Sequence, residues 1–250
     1  MKKIFLILLA LVLMLNLTAC GNSAYGEYKQ AYKMLQKAES FANTHQEIFR
    51  ILESDTGEMI NSEFLMENQA VKTEAGYDGI SKISLFGTDN YSGDAYYRDG
   101  RKYTVTHDPV VADDLRVSQA CASDYAFTIA MQGVFDLTKN IITGQSAEDT
   151  DEGRLLTFTL DPEKFYDRIF AKAYAGVYIG FREPPVYTAL LDEEGRLKQV
   201  LFSYCLVGTE DEPNSLESDT RVNFLSWDDI ELDFPELNEE DYPDIDGLAN

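Results

Sequence analysis

Histidine, tryptophan and cysteine are scarce in this chain of 250 residues, which contains two, one and three of them. A zinc centre needs clustered histidine, cysteine or carboxylate ligands. His45 and His107 lie far apart, and the chain contains no H-E-x-x-H motif. It also contains no G-x-S-x-G sequence, the usual setting of a serine nucleophile. We therefore expect no metal site, no cofactor and no catalytic residue, and we predict that the protein is not an enzyme.

Positive charge is also scarce. The 21 lysine and arginine residues face 44 aspartate and glutamate residues, which gives a formal net charge of −23. A surface of this sign repels both nucleic acid and anionic lipid headgroups. We therefore exclude nucleic acid as a partner and expect a solvated, aggregation-resistant surface. The oligomeric state is left open, with a monomer favoured.

Only one long hydrophobic run is present, Ile4 to Leu15, and it follows Lys2 and Lys3. As a helix, about 12 residues at 1.5 Å each span roughly 18 Å, well short of the roughly 30 Å hydrocarbon core. A charged start, a short apolar run and a small-residue cleavage site are typical of an export signal. Residues 1–19 are therefore predicted to be a signal peptide.

The run Leu17-Thr18-Ala19-Cys20 resembles the lipobox of bacterial lipoproteins. The alternative is an ordinary secretory signal with a chance cysteine at the cleavage point. The resemblance implies lipidation of Cys20 by a diacylglyceryl thioether, with acyl chains such as palmitate. Residues 20–26 would then be a lipidated tether, and the protein would lie on the extracytoplasmic face of the cell membrane.

The remaining chain is rich enough in apolar residues to form a core. The apolar fraction is 44%, with 14 phenylalanines and 15 tyrosines. We predict one domain over residues 27–235 and an acidic tail over 236–250 that is extended or disordered. Cys121 and Cys205 would face an oxidising compartment, where they either form a disulfide or remain buried free thiols. The second interpretation is favoured because nothing in the sequence places them face to face.

Periodicity predicts an α+β fold. An amphipathic helix begins near Glu27, and strands dominate from Glu47 to Val105, including a hairpin around Asp99-Gly100. Apolar residues from Phe127 to Ile141 predict a long helix ended by Gly144, followed by an acidic loop over residues 145–153. The antiparallel hairpins predict a single antiparallel sheet with helices on one face.

Four segments resemble LolA-like lipoproteins, and they span the chain from about Glu27 to Pro235. They are the N-terminal helix, the hairpin Ala95–Val105, the strand-to-helix run Leu156–Phe165 and a closing strand that begins near Val222 and ends in Ile230–Leu237. The resemblance implies a strongly curved sheet, an unclosed half-barrel, with the helices on its concave face. It carries no binding residue across by motif.

Aromatic residues are the candidates for lining a cavity in such a fold, although they also fill ordinary cores. The candidates are Tyr96, Tyr97, Tyr103, Phe127, Phe158, Phe165 and Tyr178. The resulting hypothesis is a non-enzymatic cell-envelope lipoprotein that binds an apolar or lipid-like ligand between sheet and helices. One alternative is a module that binds an envelope protein without a cavity. Another is an envelope hydrolase whose site is not recognisable from the sequence.

Overall fold

The computed structural model describes residues 23–52, 57–87, 90–107, 114–171, 177–209 and 214–246. The predicted signal peptide and Cys20 lie outside these residues.

The fold is one open antiparallel sheet. Its twelve strands are β1 (Ser40–Leu52), β2 (Met59–Lys72), β3 (Tyr77–Phe86), β4 (Tyr91–Arg98), β5 (Arg101–His107), β6 (Leu115–Ala120), β7 (Ile142–Thr150), β8 (Gly153–Leu160), β9 (Tyr178–Phe181), β10 (Val186–Leu191), β11 (Leu197–Gly208) and β12 (Ser215–Trp227). Their order is β6-β5-β4-β3-β2-β1-β12-β11-β10-β8-β7, and β9 pairs with β11. Neighbouring strands pair antiparallel throughout the described residues. This confirms the predicted α+β class built on a single antiparallel sheet.

Strand register determines which side chains share a face. Side chains alternate between faces along a strand, and residues paired directly across the ladder point to the same side. Phe158 pairs with Tyr187, and Tyr187 pairs with Phe202. Phe202 in turn pairs with Thr220, which pairs with Glu47 in β1. We call the face that carries this row the helix-bearing face.

Three short helices complete the described elements, together with two 3₁₀ turns and one π-helical turn. The α-helices are α1 (Ala24–Leu35), α2 (Tyr125–Ala130) and α3 (Pro162–Phe165), which continues into the π-helical turn Tyr166–Phe170. Each packs on the helix-bearing face. Tyr28 of α1 contacts the rings of Phe158 and Tyr187, Phe127 of α2 contacts Phe41, and Phe165 of α3 contacts Phe202. The helices thus share one face of the sheet. That this face is concave stays a prediction.

Helix α1 forms where the sequence predicted an amphipathic helix. The hydroxyl of Ser23 accepts a hydrogen bond from the Gly26 amide and caps the first turn. Its buried stripe includes Tyr28, Ala31 and Leu35, all fully buried against the sheet. Helix α3 is capped in the same way by Asp161.

The long helix predicted from Phe127 to Ile141 is wrong. Helix α2 ends at Ala130, and a 3₁₀ turn over Lys139–Ile141 leads into β7. The chain turns at Gly133, whose φ of +80° lies in the left-handed region that glycine tolerates. Val134 and Leu137 are buried, as the periodicity implied. They lie in an irregular segment, however, and not in a helix.

The acidic loop predicted over residues 145–153 is also wrong, because most of it is strand β7. This strand lies at the edge of the sheet, where among the described strands it pairs with β8 alone. Edge strands carry charged and polar side chains because these discourage further strand pairing. The polar composition of β7 therefore reflects its edge position.

The hairpin at Asp99-Gly100 is confirmed, with φ of 52° and 72° at the two turn residues between β4 and β5. The closing strand, expected to begin near Val222 and to end in Ile230–Leu237, is confirmed in its first part and wrong in its last part. Strand β12 ends at Trp227, and Asp228 follows with a φ of 57°. Residues 228–238 are outside any strand or helix.

Much of the acidic tail packs on the face opposite the helices. Tyr242 is 4% exposed and contacts the ring of Tyr103, at 5.4 Å between centroids. Arg101 donates to Asp244 at 2.8 Å, and the Ser118 hydroxyl donates to the Tyr242 carbonyl. Among the described residues of the tail, Glu239–Asp241 form a 3₁₀ turn and residues 242–244 contact β5 and β6.

Cys121 and Cys205 are free thiols. Cys121 directly follows β6, whereas Cys205 lies in β11, with six strands between them in the sheet order. Strands are spaced about 4.8 Å apart, and a disulfide needs Cα atoms within about 7 Å. The disulfide alternative is therefore wrong. Among the described residues, no helix has both the length and the apolarity to cross a membrane.

Candidate functional site

A cleft of about 430 Å³ lies between the helix-bearing face and the chain that crosses it. The sheet contributes side chains of β1, β11 and β12, and the opposite side comes from the turn after α2 and from the π-helical turn. Its lining residues are His45, Glu47, Phe49, Met131, Gln132, Gly133, Phe135, Ile169, Phe170, Phe202, Tyr204 and Thr220.

One wall of the cleft consists of packed aromatic rings. The ring centroids of Phe135 and Phe202 lie 5.2 Å apart, and Tyr204 lies 5.0 Å from both Phe202 and Phe170. These are the separations of favourable aromatic contacts. The wall is apolar and held in place on several sides, which suits it to contact an apolar ligand.

The polar end of the cleft is formed by His45 and Glu47. These residues lie two apart in β1, so both point to the helix-bearing face. His45 is 4% exposed, and within the described part of the chain neither of its ring nitrogens has a hydrogen-bond partner. Burial lowers the pKa of His45 to about 4, so the imidazole is neutral at pH 7. Its Nε2 lies 3.7 Å from Glu47 Oε2, too far for a hydrogen bond.

Glu47 is held by neighbouring hydroxyl groups. Its Oε1 accepts hydrogen bonds from the hydroxyls of Ser218, at 2.5 Å, and Tyr204, at 3.3 Å. Burial raises the pKa of Glu47, while these bonds and one involving Thr220 oppose the rise. Its side chain is 16% exposed, so a buried carboxyl group faces the cleft.

Gly133 determines how closely the chain approaches the sheet here. A Cβ atom at this position would lie 3.0 Å from methyl carbons of Thr220 and Val222 and 3.8 Å from His45 Nε2. The absence of a side chain therefore leaves space beside the imidazole. The positive φ supplies a second reason for glycine.

Helix α1 holds the other side of the cleft through Phe135. The Tyr28 hydroxyl donates to the Phe135 carbonyl at 2.6 Å, and the Phe135 amide donates to the Tyr187 hydroxyl at 3.4 Å. The two tyrosine hydroxyls are themselves 2.8 Å apart. The N-terminal helix is thus connected by hydrogen bonds to a residue that lines the cleft.

The aromatic residues predicted to line a cavity are divided among three clusters. Tyr96 and Tyr103 lie on the opposite face, in the cluster with Tyr242, and Tyr97 lies in a separate small cluster. Phe127, Phe158, Phe165 and Tyr178 belong to the main core. None of the seven is among the residues that line the cleft described above.

Sequence reasoning did not identify His45 and Glu47. The sequence does contain a signal for them. Every second residue of β1 lies on the same face, and these residues are Phe41, Asn43, His45, Glu47 and Phe49. Polar residues between aromatic positions of a buried face indicate either a buried polar network or a binding site.

A second cleft, of about 660 Å³, lies on the opposite face beneath residues 231–235. Glu67, Asp94, Glu231 and Asp233 line it with one lysine, Lys82. Its lining is more polar than that of the first cleft. In the described ranges, no group of three or more histidine, cysteine or carboxylate residues is placed to hold a metal ion.

No protein-family model and no curated protein sequence matches the chain. Solved structures give weak likenesses. A DUF1329 family protein from Desulfovibrio piger ATCC 29098 has 15% sequence identity, over 85% of this chain and 96% of that one, with a TM-score of 0.30.

A putative outer membrane lipoprotein-sorting protein domain from Vibrio parahaemolyticus has 11% identity, over 86% of this chain and 94% of that one, with a TM-score of 0.27. A beta-barrel-like protein of the domain of unknown function DUF1849 from Brucella abortus has 10% identity, over 76% and 100%, with a TM-score of 0.25. At these TM-scores the likenesses carry no argument about function.

Proposed function

We propose that this chain is a lipid-anchored cell-envelope protein that binds an apolar, lipid-like ligand in the cleft between its sheet and helices. The observation that carries the proposal is the cleft itself. Its volume of about 430 Å³ falls within the range of about 300–1,000 Å³ that is typical of small-molecule sites. Its aromatic wall supplies apolar contact area, and polar side chains such as His45 and Glu47 supply orientation.

Binding rather than catalysis is favoured by the chemistry of the polar end. Nucleophilic catalysis needs a hydroxyl or thiol within hydrogen-bond reach of a base. His45 has no hydrogen-bond partner among the described residues, and a pKa of about 4 makes it a weak base. The nearby hydroxyls of Ser218 and Tyr204 donate to Glu47 instead.

Attachment to the membrane is assigned to Cys20 through the lipobox resemblance. Two acyl chains give stable anchoring, whereas one holds only marginally. Helix α1 begins at Ala24, four positions after this cysteine. The start of helix α1 would therefore lie close to the membrane surface, which would supply apolar ligands near the domain.

A protein-binding module without a cavity is less well supported. Such a module should expose a continuous apolar patch. The most exposed large apolar side chains are Leu115, Ile179 and Leu225, at 63%, 62% and 65%. They lie in β6, β9 and β12, which are not neighbouring strands, so these three do not form one patch. Leu52 and Met59 are also exposed and pair directly across β1 and β2, but two side chains are a small area for a partner.

Native mass spectrometry with lipid extraction tests the proposal. The chain from residue 20, which contains every described residue, is produced in a bacterial host with Cys20→Ser so that no acyl chain is attached. We expect an acyl-containing molecule to co-purify. Ile169→Trp, which fills the cleft, should abolish this, whereas Leu115→Trp at an exposed edge position should not. If no ligand co-purifies and no alkyl compound binds, the proposal is wrong.

A further inference from the structure

We infer that the polar end of the cleft binds the protonated primary amine of an amphipathic ligand whose apolar chain lies against the aromatic wall. The inference rests on the proposed function and names the chemical class of its ligand. Glu47 would be the counter-ion of the amine, and His45 would accept a second hydrogen bond from it.

Charge favours a cationic head group. Among the residues that the structure describes, the lining includes Glu47 but neither lysine nor arginine. A fatty acid or a phospholipid phosphate would place a second negative charge beside this buried carboxyl group, which costs free energy. A protonated amine would replace that repulsion with a charge-assisted hydrogen bond.

The unpartnered imidazole favours a donor-rich head group. A neutral imidazole offers one acceptor nitrogen, and an ammonium group offers three N–H donors. A buried polar atom without a partner is costly, so the vacant bonding capacity of His45 indicates a missing partner. A ligand inside the cleft would supply it.

The spacing of the two acceptors fits a single nitrogen atom. His45 Nε2 and Glu47 Oε2 are 3.7 Å apart and do not bond to each other. His45 Nε2 is fully buried in this structure, so the imidazole must turn towards the cleft on binding; one ligand nitrogen can then lie about 2.9 Å from both atoms. The third N–H can point towards the open side of the cleft or towards Gln132, which also lines it.

Aromatic rings border the same end of the cleft. The hydroxyl of Tyr204 donates to Glu47, and its ring contacts those of Phe202 and Phe170. Ring faces within about 6 Å attract a cation. The same rings continue into the apolar wall, so a head group and its alkyl chain can be bound by one continuous surface.

Calorimetric titration with three ligands of equal chain length tests the inference: decylammonium, decanol and decanoate, each below its micellar concentration. The protein is the same chain from residue 20 with Cys20→Ser. We expect decylammonium to bind about tenfold or more tightly than decanol, because a charged hydrogen bond is stronger than a neutral one. Decanoate should bind most weakly.

Glu47→Gln is the decisive variant, because it keeps the shape of the side chain and removes its charge. It should lower the ratio of decylammonium affinity to decanol affinity about tenfold, and an unchanged circular-dichroism spectrum would show that the domain is still folded. Glu63→Gln is the matched control. Glu63 is on the adjacent strand β2 but bonds to Gln46 on the other face of the sheet, and this change should leave all three affinities constant.

The outcomes separate the two proposals. If decanol or decanoate binds as tightly as decylammonium, the amine inference is wrong and the apolar cleft stands. The amine inference is also wrong if Glu47→Gln leaves the preference for decylammonium unchanged. If none of the three ligands binds, the proposed function itself fails.

Discussion

The hydroxyl oxygens of Tyr28 and Tyr187 lie 2.8 Å apart, and both side chains are fully buried. Tyr28 belongs to α1 and Tyr187 to β10, so the contact joins the N-terminal helix to the third strand from the β7 edge of the sheet. Burial raises the pKa of both phenols, which therefore act as neutral hydrogen-bonding groups. Through Phe135 the pair also supports the cleft.

Removing one hydroxyl of this pair should destabilise the protein. Tyr28→Phe leaves the Phe135 carbonyl and the Tyr187 hydroxyl with one hydrogen bond fewer in a buried site, which costs about 1–3 kcal/mol. Denaturant unfolding measures the loss. Tyr32→Phe on the same helix is the matched control, because Tyr32 is partly exposed, and it should change stability by less than about 0.5 kcal/mol. Equal effects of the two variants would contradict the assigned role of the pair.

The pKa of His45 makes stability depend on pH. Its folded value of about 4 is below the ordinary 6.5, so the unfolded chain binds the proton more tightly. The contribution of His45 to the free energy of unfolding is fully present above pH 6.5 and is lost as the pH falls towards 4. Relative to His45→Gln, the wild type should lose roughly 2 kcal/mol of unfolding free energy between pH 7 and pH 5.

His107 should make the unfolding free energy depend on pH in the direction opposite to that of His45. It is exposed, and its hydrogen bond to Asp114, with a further contribution from Asp94, raises its pKa. Its stabilisation is therefore present at low pH and is lost as pH rises through the folded value. The difference between wild type and His107→Gln should shrink from pH 5 to pH 8, and it should be weakened by salt because the site is exposed. If the stability contributions of both histidines changed in the same direction with pH, the assigned pKa directions would be wrong.

The acidic tail should contribute to stability. Tyr242 is buried against Tyr103 on the face opposite the helices. Tyr242→Ala should cost about 2 kcal/mol of unfolding free energy, because it removes an aromatic side chain from a small cluster. Glu240→Ala, at an exposed position, serves as control and should change little. A disordered tail would show no difference between the two variants.

Cys20→Ser tests the anchor. It removes the thiol that would carry lipid, so the protein should appear in the soluble fraction after cell lysis, whereas the wild type sediments with membranes. The unfolding midpoint of the remaining chain should not change, since every described element begins after residue 22. Continued sedimentation of Cys20→Ser with membranes would overturn the lipid-anchor proposal.

Local signals in the sequence predicted several elements well. Helix α1 follows from its apolar spacing, and the β4–β5 turn follows from Asp99-Gly100, because few residues tolerate the required positive φ. These predictions depend on neighbours within a few positions of one another. The sequence alone thus determined the α+β class, the acidic surface and the absence of a recognisable catalytic motif, since composition and short-range pattern are sufficient for each.

Long-range pairing decided the rest. Residues 127–141 have helical spacing, yet packing against the sheet and the turn at Gly133 override it. Strand β7 resembles a loop because it is an edge strand with one partner. Only the tertiary structure could place Glu47 beside Ser218, 171 positions later. That contact depends on the register of β1 against β12, which no local pattern encodes.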